Sequence, residues 1–224
     1  MIRYKKVYID ALNDDEVDAI YKNLLNEKWQ FIIIETINNK YVLTKEKSIF
    51  EMGDEEKYID DANRDIYYHT EFVEDENIDL GNSLDIFKEY IAKYEERIVS
   101  TLYGDKYIFG SVAVRIDDDS FITTIRGKED LSEYTIVRRV DQDSHTIYVK
   151  GKKATLNAPL LAHLFENKDV NVIVHINHYF DSKLKNDEYA FPGTVRDSMR
   201  DNKESFNIKY HGVVYLFDKD GKEI

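Results

Sequence analysis

Two histidine-containing segments carry the residues with the clearest capacity for chemistry. The first holds His175, Asn177 and His178 at the end of an apolar run, and the second holds His211. Side chains two residues apart on a strand share a face, so His175 and Asn177 are expected to point the same way. Imidazole suits zinc and other transition metals, whereas asparagine is a weak ligand. His178 could replace Asn177 as a ligand if the strand ends or bulges there. Two interpretations remain open. The first is a metal site formed by His175, His178 and His211, and the second is a set of ordinary hydrogen-bonded histidines near the end of a strand.

The elements that must position these residues follow from the hydrophobic periodicity. A helical pattern runs over 86–102, and shorter helices are predicted near 160–165 and after Thr194, which can serve as an N-cap. Pro159 and Pro192 lie where the two shorter helices begin, as the fixed φ of proline favours. Strands are predicted over 107–116, 121–125, 134–140, 146–149 and 171–176, with turns at 117–119 and 141–143 and a last strand pair over 209–217.

The first 50 residues form a separate small pattern. A strand over 3–10 precedes a helix to about residue 28, with Asn13 and Glu16 spaced as a capping box. Two further strands are predicted over 29–36 and 40–44, giving a β-α-β-β unit. This unit holds no catalytic motif and is interpreted as a packing or oligomerisation module. The predicted organisation is therefore this unit over 1–50, a connecting segment over 51–83, and a larger domain over 84–224.

Most of the net charge lies in the connecting region. The chain of 224 residues has a formal charge of −13, and residues 51–80, with twelve acids and two bases, supply −10 of it. Acidic residues at this density repel one another and favour a solvated segment. A hydrated linker or exposed face is the simpler interpretation, and a docking surface for a basic partner is the alternative.

Several function classes are excluded or disfavoured by composition. The chain has no cysteine, which excludes disulfides and thiolate chemistry, and it lacks the glycine-rich phosphate loops and the serine-hydrolase elbow. No stretch approaches the ~20 apolar residues of a membrane span, and no apolar signal-peptide core is present, so a cytoplasmic protein without a membrane partner is expected. Nucleic acid is not an expected partner, since no basic patch with interleaved aromatic residues occurs.

A series of blocks from about residue 84 to residue 217 resembles the class II aldolase/adducin family. The more specific blocks are the last three, which contain Val174-His175, Pro192-Gly193-Thr194 and His211-Gly212-Val213. Earlier blocks of the same order occupy 110–115, 121–127 and 153–160. Residues 1 to about 80 lie outside the resemblance. The resemblance implies an α/β fold in which a central, mainly antiparallel sheet is flanked by helices. It also implies a homo-oligomer, often a tetramer, with the site at a subunit junction.

The resemblance also implies a site. Metal-dependent members hold a zinc-type divalent metal with three histidines, and a nearby acid acts as general acid/base on a phosphorylated sugar. His175 and His211 match the first and third histidines, while the second falls on Asn177 and the acid falls on Asn157. The phosphate-binding positions fall on Gly110, Ser111, Arg126, Gly127 and Thr155.

The departures from the family pattern decide how the site is interpreted. Asparagine cannot transfer a proton at neutral pH, so Asn157 cannot replace the acid, and we expect it to cap the helix that follows. Arg126 either strengthens phosphate binding or fills the pocket. A replacement acid or ligand could be supplied by Glu166, Glu188, Asp181 or His163, but no sequence pattern distinguishes among these four residues.

Two functions therefore remain open from the sequence. The first is an adducin-like domain with an incomplete catalytic set that binds a small phosphorylated or anionic ligand without aldol chemistry. The second is a metal-dependent lyase, or related enzyme, that acts on a sugar phosphate through a rearranged site of His175, His178 and His211. The missing acid favours the first, and the two retained histidines favour the second.

Overall fold

A computed structural model gives the fold of the chain. It describes strands at 4–9, 31–36 and 40–41, followed by residues 66–74, 78–100, 107–108, 110–177, 181–188, 190, 192–208 and 211–224. The helix predicted before residue 28, most of the acidic segment and His178 lie outside the described residues.

The N-terminal strands form a sheet of their own. β1 (Tyr4–Ile9) pairs in parallel with β2 (Phe31–Thr36), and β2 pairs antiparallel with β3 (Lys40–Tyr41). All three strands were predicted from the sequence. A parallel pair requires a crossover connection rather than a tight turn, as a β-α-β-β unit would supply.

The larger domain is built on an open sheet of nine strands. The nine strands are β4 (His69–Phe72), β7 (Ser111–Arg115), β8 (Phe121–Thr124), β9 (Tyr134–Asp141), β10 (Thr146–Lys150), β11 (Val172–Ile176), β12 (Lys185–Asp187), β13 (Phe206–Ile208) and β14 (Gly212–Phe217). Their spatial order is β12-β13-β14-β11-β7-β8-β9-β10-β4. The six interior pairs are antiparallel, and the two edge strands, β4 and β12, pair in parallel with their neighbours.

Short elements complete the described part of the chain. A two-stranded pair joins β5 (Val99–Ser100) to β6 (Tyr107–Ile108), and the helices are α1 (Ser83–Ile98), α2 (Ala158–Leu164) and α3 (Val195–Ser198). The long helix was predicted to reach residue 102, but it ends at Ile98 because the next two residues enter β5. No helix among the described residues is long and apolar enough to span a bilayer.

The sheet has a hydrophobic core on each face. Side chains alternate along each strand, so β11 contributes Val172 and Val174 to the core under α1 and Ile173 to the core under α2. Phe87 on α1 and Leu161 on α2 are fully buried anchors of these two layers. The predicted fold class, a mainly antiparallel sheet flanked by helices, is confirmed.

Arg115 fixes the end of α2 against the sheet. Its guanidinium donates hydrogen bonds to the backbone carbonyls of Phe165, Asn167 and Val170 at 2.6–3.0 Å, and it stacks on the Phe165 ring at 4.9 Å. A cation placed at the carboxyl end of a helix satisfies carbonyls that have no partner within the helix. The helix that follows Asn157 is thereby held at a fixed position over the sheet.

The last strand pair differs from its predicted bounds. β13 ends at Ile208, and the backbone N–H of His211 donates to the Ile208 carbonyl at 3.0 Å to close the turn into β14. The pair therefore begins at Phe206 rather than Lys209. This shift places His211 in the turn, at the end of the sheet, rather than within a strand.

Candidate functional site

The described residues that were predicted to form a site lie at one end of the large sheet. Because β7, β8, β11 and β14 alternate in direction, the ends of β8 and β11 and the starts of β7 and β14 lie at the same edge. His175 lies opposite Ser111 on one side and Val214 on the other. Seven of the predicted site residues lie at this end of the sheet, namely Gly110, Ser111, Arg126, Gly127, Thr155, His175 and His211.

The segment before α2 is tied to this end by backbone hydrogen bonds. The Thr155 N–H donates to the Thr124 carbonyl at 3.0 Å, and the Arg126 N–H donates to the Lys153 carbonyl at 2.9 Å. Arg126 and Thr155 therefore lie on neighbouring segments. Asn157 lies two residues further along the chain, at the N-cap position of α2.

Two glycines allow the strands to approach one another here. A Cβ at Gly110 would lie 2.2 Å from the His175 carbonyl oxygen, and one at Gly212 would lie 2.0 Å from the Ile176 carbonyl oxygen. Both positions also have φ values, +97° and +151°, that L side chains rarely adopt. The approach of these chains around the histidines thus depends on the absence of a side chain at both positions.

His175 and His211 form a closed pair. They are 0% and 1% exposed, and their Nε2 atoms lie 3.3 Å apart with the rings nearly perpendicular. The His175 Nδ1 lies 3.0 Å from the Val213 carbonyl oxygen, which can only accept, so Nδ1 carries the proton and Nε2 presents a lone pair. In the metal-free protein His211 then donates its Nε2–H to His175. The Nδ1 atom of His211 has no hydrogen-bond partner among the described residues.

Both imidazoles are held neutral. Burial lowers the pKa of His175 to about 4. The hydrogen bond to Val213 acts in the opposite direction, and the charges of Arg200 and Lys128 lower the pKa further. Burial, the neighbouring His175 and the charge of Arg200 also hold the pKa of His211 well below its usual range. Neutral imidazole is the form that binds metals and accepts protons.

The geometry of the pair fits part of a metal site. Two nitrogen ligands at about 2.0–2.1 Å from a tetrahedral zinc lie about 3.3–3.4 Å apart, which matches the Nε2 separation. The Val213 carbonyl supplies the outer hydrogen bond that orients a metal-binding imidazole. Among the described residues, however, no group of three His, Cys, Asp or Glu side chains could hold an ion. His178, the third predicted ligand, lies outside the described residues.

Asn157 and Asn177 lie at the positions that the resemblance assigns to the acid and to the second histidine. Asn157 occupies the N-cap position of α2, but its side chain makes no capping hydrogen bond, so the predicted capping role was wrong. Its φ and ψ of −80° and 3° depart from the extended backbone of a regular N-cap. Among the described residues, the buried Oδ1 atoms of Asn157 and Asn177 have no hydrogen-bond partner.

The predicted anion-binding residues divide into an inner and an outer group. Ser111 is fully buried and its Oγ has no partner among the described residues, and Thr155 is also buried. Arg126 and Gly127 are exposed, so the Arg126 side chain does not fill the interior of the site. This placement argues against the second of its two predicted roles, filling the pocket, and phosphate binding stays a prediction.

A buried ionic network beside the site was missed by sequence reasoning. Asp197 is 0% exposed and accepts from Arg200 Nε at 3.0 Å and Nη2 at 2.8 Å, while Arg200 Nη1 donates to Asp187 at 2.8 Å and to the Glu188 carbonyl. Thr194 caps α3 as predicted, its hydroxyl accepting from the Asp197 N–H. The spacing of Asp197 and Arg200, three residues apart after a cap, was the available signal.

The other acids and the histidine considered as replacements lie in separate settings. His163 is paired with Glu166 at 3.2 Å on the partly exposed side of α2. Asp181 accepts from the Tyr215 hydroxyl at 3.1 Å, and its carbonyl accepts from Asn207. Glu188 is exposed and contributes its backbone carbonyl to Arg200. None of the four forms a three-residue metal-binding group with the histidine pair in the described part of the chain.

Comparisons with known proteins give distant structural neighbours. The chain is similar to YgbL from Escherichia coli, which is named as a candidate aldolase/epimerase/decarboxylase, with 17% identity and a TM-score of 0.44 over 61% of this chain and 80% of that one. YgbL from Klebsiella pneumoniae matches at 14% identity and a TM-score of 0.41, covering 60% of this chain and 76% of that one.

An L-fuculose 1-phosphate aldolase matches at 10% identity and a TM-score of 0.40, covering 60% of this chain and 73% of that one. No family model matches the chain, and no curated protein matches it. Solved structures of the class II aldolase family are therefore among the neighbours of this chain, with weak identity and partial coverage.

Proposed function

We propose that this chain is a class II aldolase/adducin-like protein that binds a small phosphorylated or anionic ligand and does not perform aldol cleavage. The observation that carries the proposal is the amide of Asn157 at the position of the family's acid. Its Oδ1 is buried and has no partner in the described part of the chain, and an amide cannot transfer a proton at neutral pH.

The anion-binding part of the proposal has its own support. Ser111 and Thr155 provide hydroxyls at the end of the sheet, and the exposed guanidinium of Arg126 lies on the neighbouring segment. A guanidinium with adjacent hydroxyls and backbone N–H groups suits phosphate. Assembly as a homo-oligomer and a cytoplasmic location remain predictions from the sequence.

Inorganic phosphate and a phosphorylated sugar are expected to raise the melting temperature of the wild-type protein. The Arg126→Ala variant should weaken phosphate binding by about ten- to 150-fold, because a charge-assisted hydrogen bond contributes about 1.5–3 kcal/mol. Titration followed by calorimetry measures the affinity. Arg139→Ala is the matched control, because this exposed arginine lies on β9 toward the opposite end of the sheet.

The same preparation tests the absence of aldol chemistry. No release of an aldehyde product from phosphorylated sugars above the uncatalysed rate is expected, with or without added zinc. Cleavage by the wild-type protein would contradict the proposed function. Unchanged phosphate affinity in Arg126→Ala would contradict the assigned anion site.

The second candidate function is a metal-dependent lyase with a rearranged site. It is favoured by the 3.3 Å separation of the His175 and His211 Nε2 atoms and by the Val213 carbonyl behind His175. These two imidazoles, with His178 as the further predicted ligand, would hold zinc or another divalent ion. A metal held there would polarise a carbonyl group of the substrate.

Metal analysis separates the two candidates. Protein purified without a histidine tag is expected to contain well under one zinc per chain, because only two protein ligands meet among the described residues. Zinc content near one per chain, lost in the His175→Ala/His211→Ala double variant, would support the lyase instead. His163→Ala is the control, since it removes an imidazole outside the pair.

A further inference from the structure

The strand β4 forms one edge of the large sheet. Among the described residues it pairs only with β10, so the other side of its backbone has no strand beside it in that part of the chain. The residues before β4 are tied to the start of α3, since the Ile66 carbonyl accepts from the Val195 N–H at 2.9 Å and Tyr67 bridges to Thr194. The open edge therefore begins after Tyr67.

The hydrogen bonds to the β10 segment show which backbone groups of β4 face outward. The N–H groups of His69 and Val73 donate to backbone carbonyls near either end of β10, both at 2.9 Å. Alternate residues of a strand direct their backbone groups to opposite sides. The N–H and C=O groups of Thr70 and Phe72 therefore point away from β10, toward the open side of the sheet.

This edge lacks the features that most often keep a further strand away. Natural edge strands are commonly protected by lysine, by proline or by a bulge. The strand β4 contains neither lysine nor proline, and its register with β10 runs without a bulge. It also presents Phe72, which is 59% exposed. The opposite edge strand, β12, is shorter and begins with Lys185. Of the two edges, β4 is thus the better template for an added strand.

The charge around β4 indicates the chemistry of the partner. Residues 65–80 contain six acids and no lysine or arginine, and Glu71 and Glu74 are exposed. A second copy of β4 would bring like charges together, which is unfavourable across a strand pair, whereas basic side chains would be attracted. Because side chains alternate along a strand, Glu71 and Phe72 face opposite sides of the sheet. The complementary strand therefore alternates basic and apolar residues.

We propose that β4 binds an extended segment of a partner protein in which lysine or arginine alternates with apolar residues. The segment adds to the sheet as a further strand, with its backbone bonded to Thr70 and Phe72 and its basic side chains on the Glu71 side. Main-chain hydrogen bonds give such a complex its affinity, and the alternating side chains give it specificity. The inference goes beyond the proposed ligand binding, because it concerns the edge of the sheet rather than the end that holds the histidine pair.

A model peptide tests the proposal on the full-length protein. The probe is an eight-residue peptide of alternating lysine and valine with blocked ends, and fluorescence anisotropy of an attached dye measures its binding. Saturable binding is expected, and a peptide of alternating glutamate and valine is expected not to bind. Two further probes are N-methylated on all lysines or on all valines. Because only alternate residues of an added strand face β4, only one of these two probes should lose binding.

Variants of the edge locate the binding site. Glu71→Lys is expected to weaken binding of the lysine–valine peptide about two- to fivefold. Thr70→Pro removes one outward N–H and leaves the bonds to β10 in place, so a loss of about two- to tenfold is expected. Asp220→Lys is the matched control, because this exposed residue lies in the turn after β14 and its replacement changes the net charge equally.

Several outcomes would overturn the proposal. They are the absence of saturable binding, equal losses in Glu71→Lys and Asp220→Lys, and N-methylated probes that both bind or both fail. If Thr70→Pro does not fold, the N-methylated probes decide, because they are measured on the wild-type protein. Self-association of the wild-type protein that Thr70→Pro abolishes would assign the edge to a second copy of this chain, and would also overturn the proposal.

Discussion

Replacing Asp197 with alanine is expected to lower the free energy of unfolding by about 3–5 kcal/mol. Arg200 is only 6% exposed, and it would lose the acceptor of both its Nε and Nη2 donors. Removal of one partner leaves a buried charge that neither water nor another side chain fully satisfies. Urea denaturation of the wild-type and variant proteins at pH 7 measures the difference.

An exposed ion pair supplies the matched control for this experiment. Asp118 and Lys168 lie 2.9 Å apart, but their side chains are 83% and 58% exposed. Asp118→Ala is therefore expected to leave the free energy of unfolding nearly unchanged. Equal losses in the two variants would show that the buried network does not anchor α3 beside the site.

Acidification from pH 7 to pH 5 is expected to destabilise the metal-free protein by about 2 kcal/mol through His175, and His211 is expected to add to this loss in the same direction. The ordinary histidine pKa is 6.5, and that of His175 is about 4 in the folded protein, with His211 shifted in the same direction. The unfolded chain therefore binds protons that the folded protein excludes. The stability is fully present above pH 6.5 and is lost as the pH falls toward 4.

Unfolding free energies measured in the presence of a chelator test this dependence. The His175→Gln/His211→Gln double variant is expected to show a smaller loss between pH 7 and pH 5 than the wild-type protein. His163→Gln should show the wild-type loss, because His163 lies outside the pair. A double variant with an unchanged pH dependence would mean that other groups cause the acid sensitivity.

The architecture was largely accessible from the sequence. Apolar patterns predicted the central strands of the large sheet but not its edge strands β4 and β12, and helical spacing predicted α1, because both patterns report which face is buried. Turns at Asp117 and Asp141 were also found, and in each turn the Asp Oδ1 atom accepts backbone N–H groups, as residue type predicts. The edge pairings were not predicted, since pairing partners distant in sequence leave no local pattern.

The site was predicted only in part, for physical reasons. His175, His211 and the phosphate-binding positions were found because short blocks of sequence carry them. The capping role assigned to Asn157 failed because residue type sets only a preference, whereas the backbone of Asn157, with φ −80° and ψ 3°, is not in the extended conformation of a regular N-cap. The Asp197–Arg200 pair was missed because the burial of these two charges depends on the tertiary structure.

The parallel pairing at both edges of the large sheet has a consequence for the order of folding. β4 joins β10 across more than 70 residues of chain, whereas β7 to β10 form successive local hairpins. Closing a long loop costs entropy before the contact is formed, so local hairpins are favoured early. The sheet is therefore expected to grow outward from this meander. The site at β7, β8, β11 and β14 then becomes complete only when the C-terminal strands add to it.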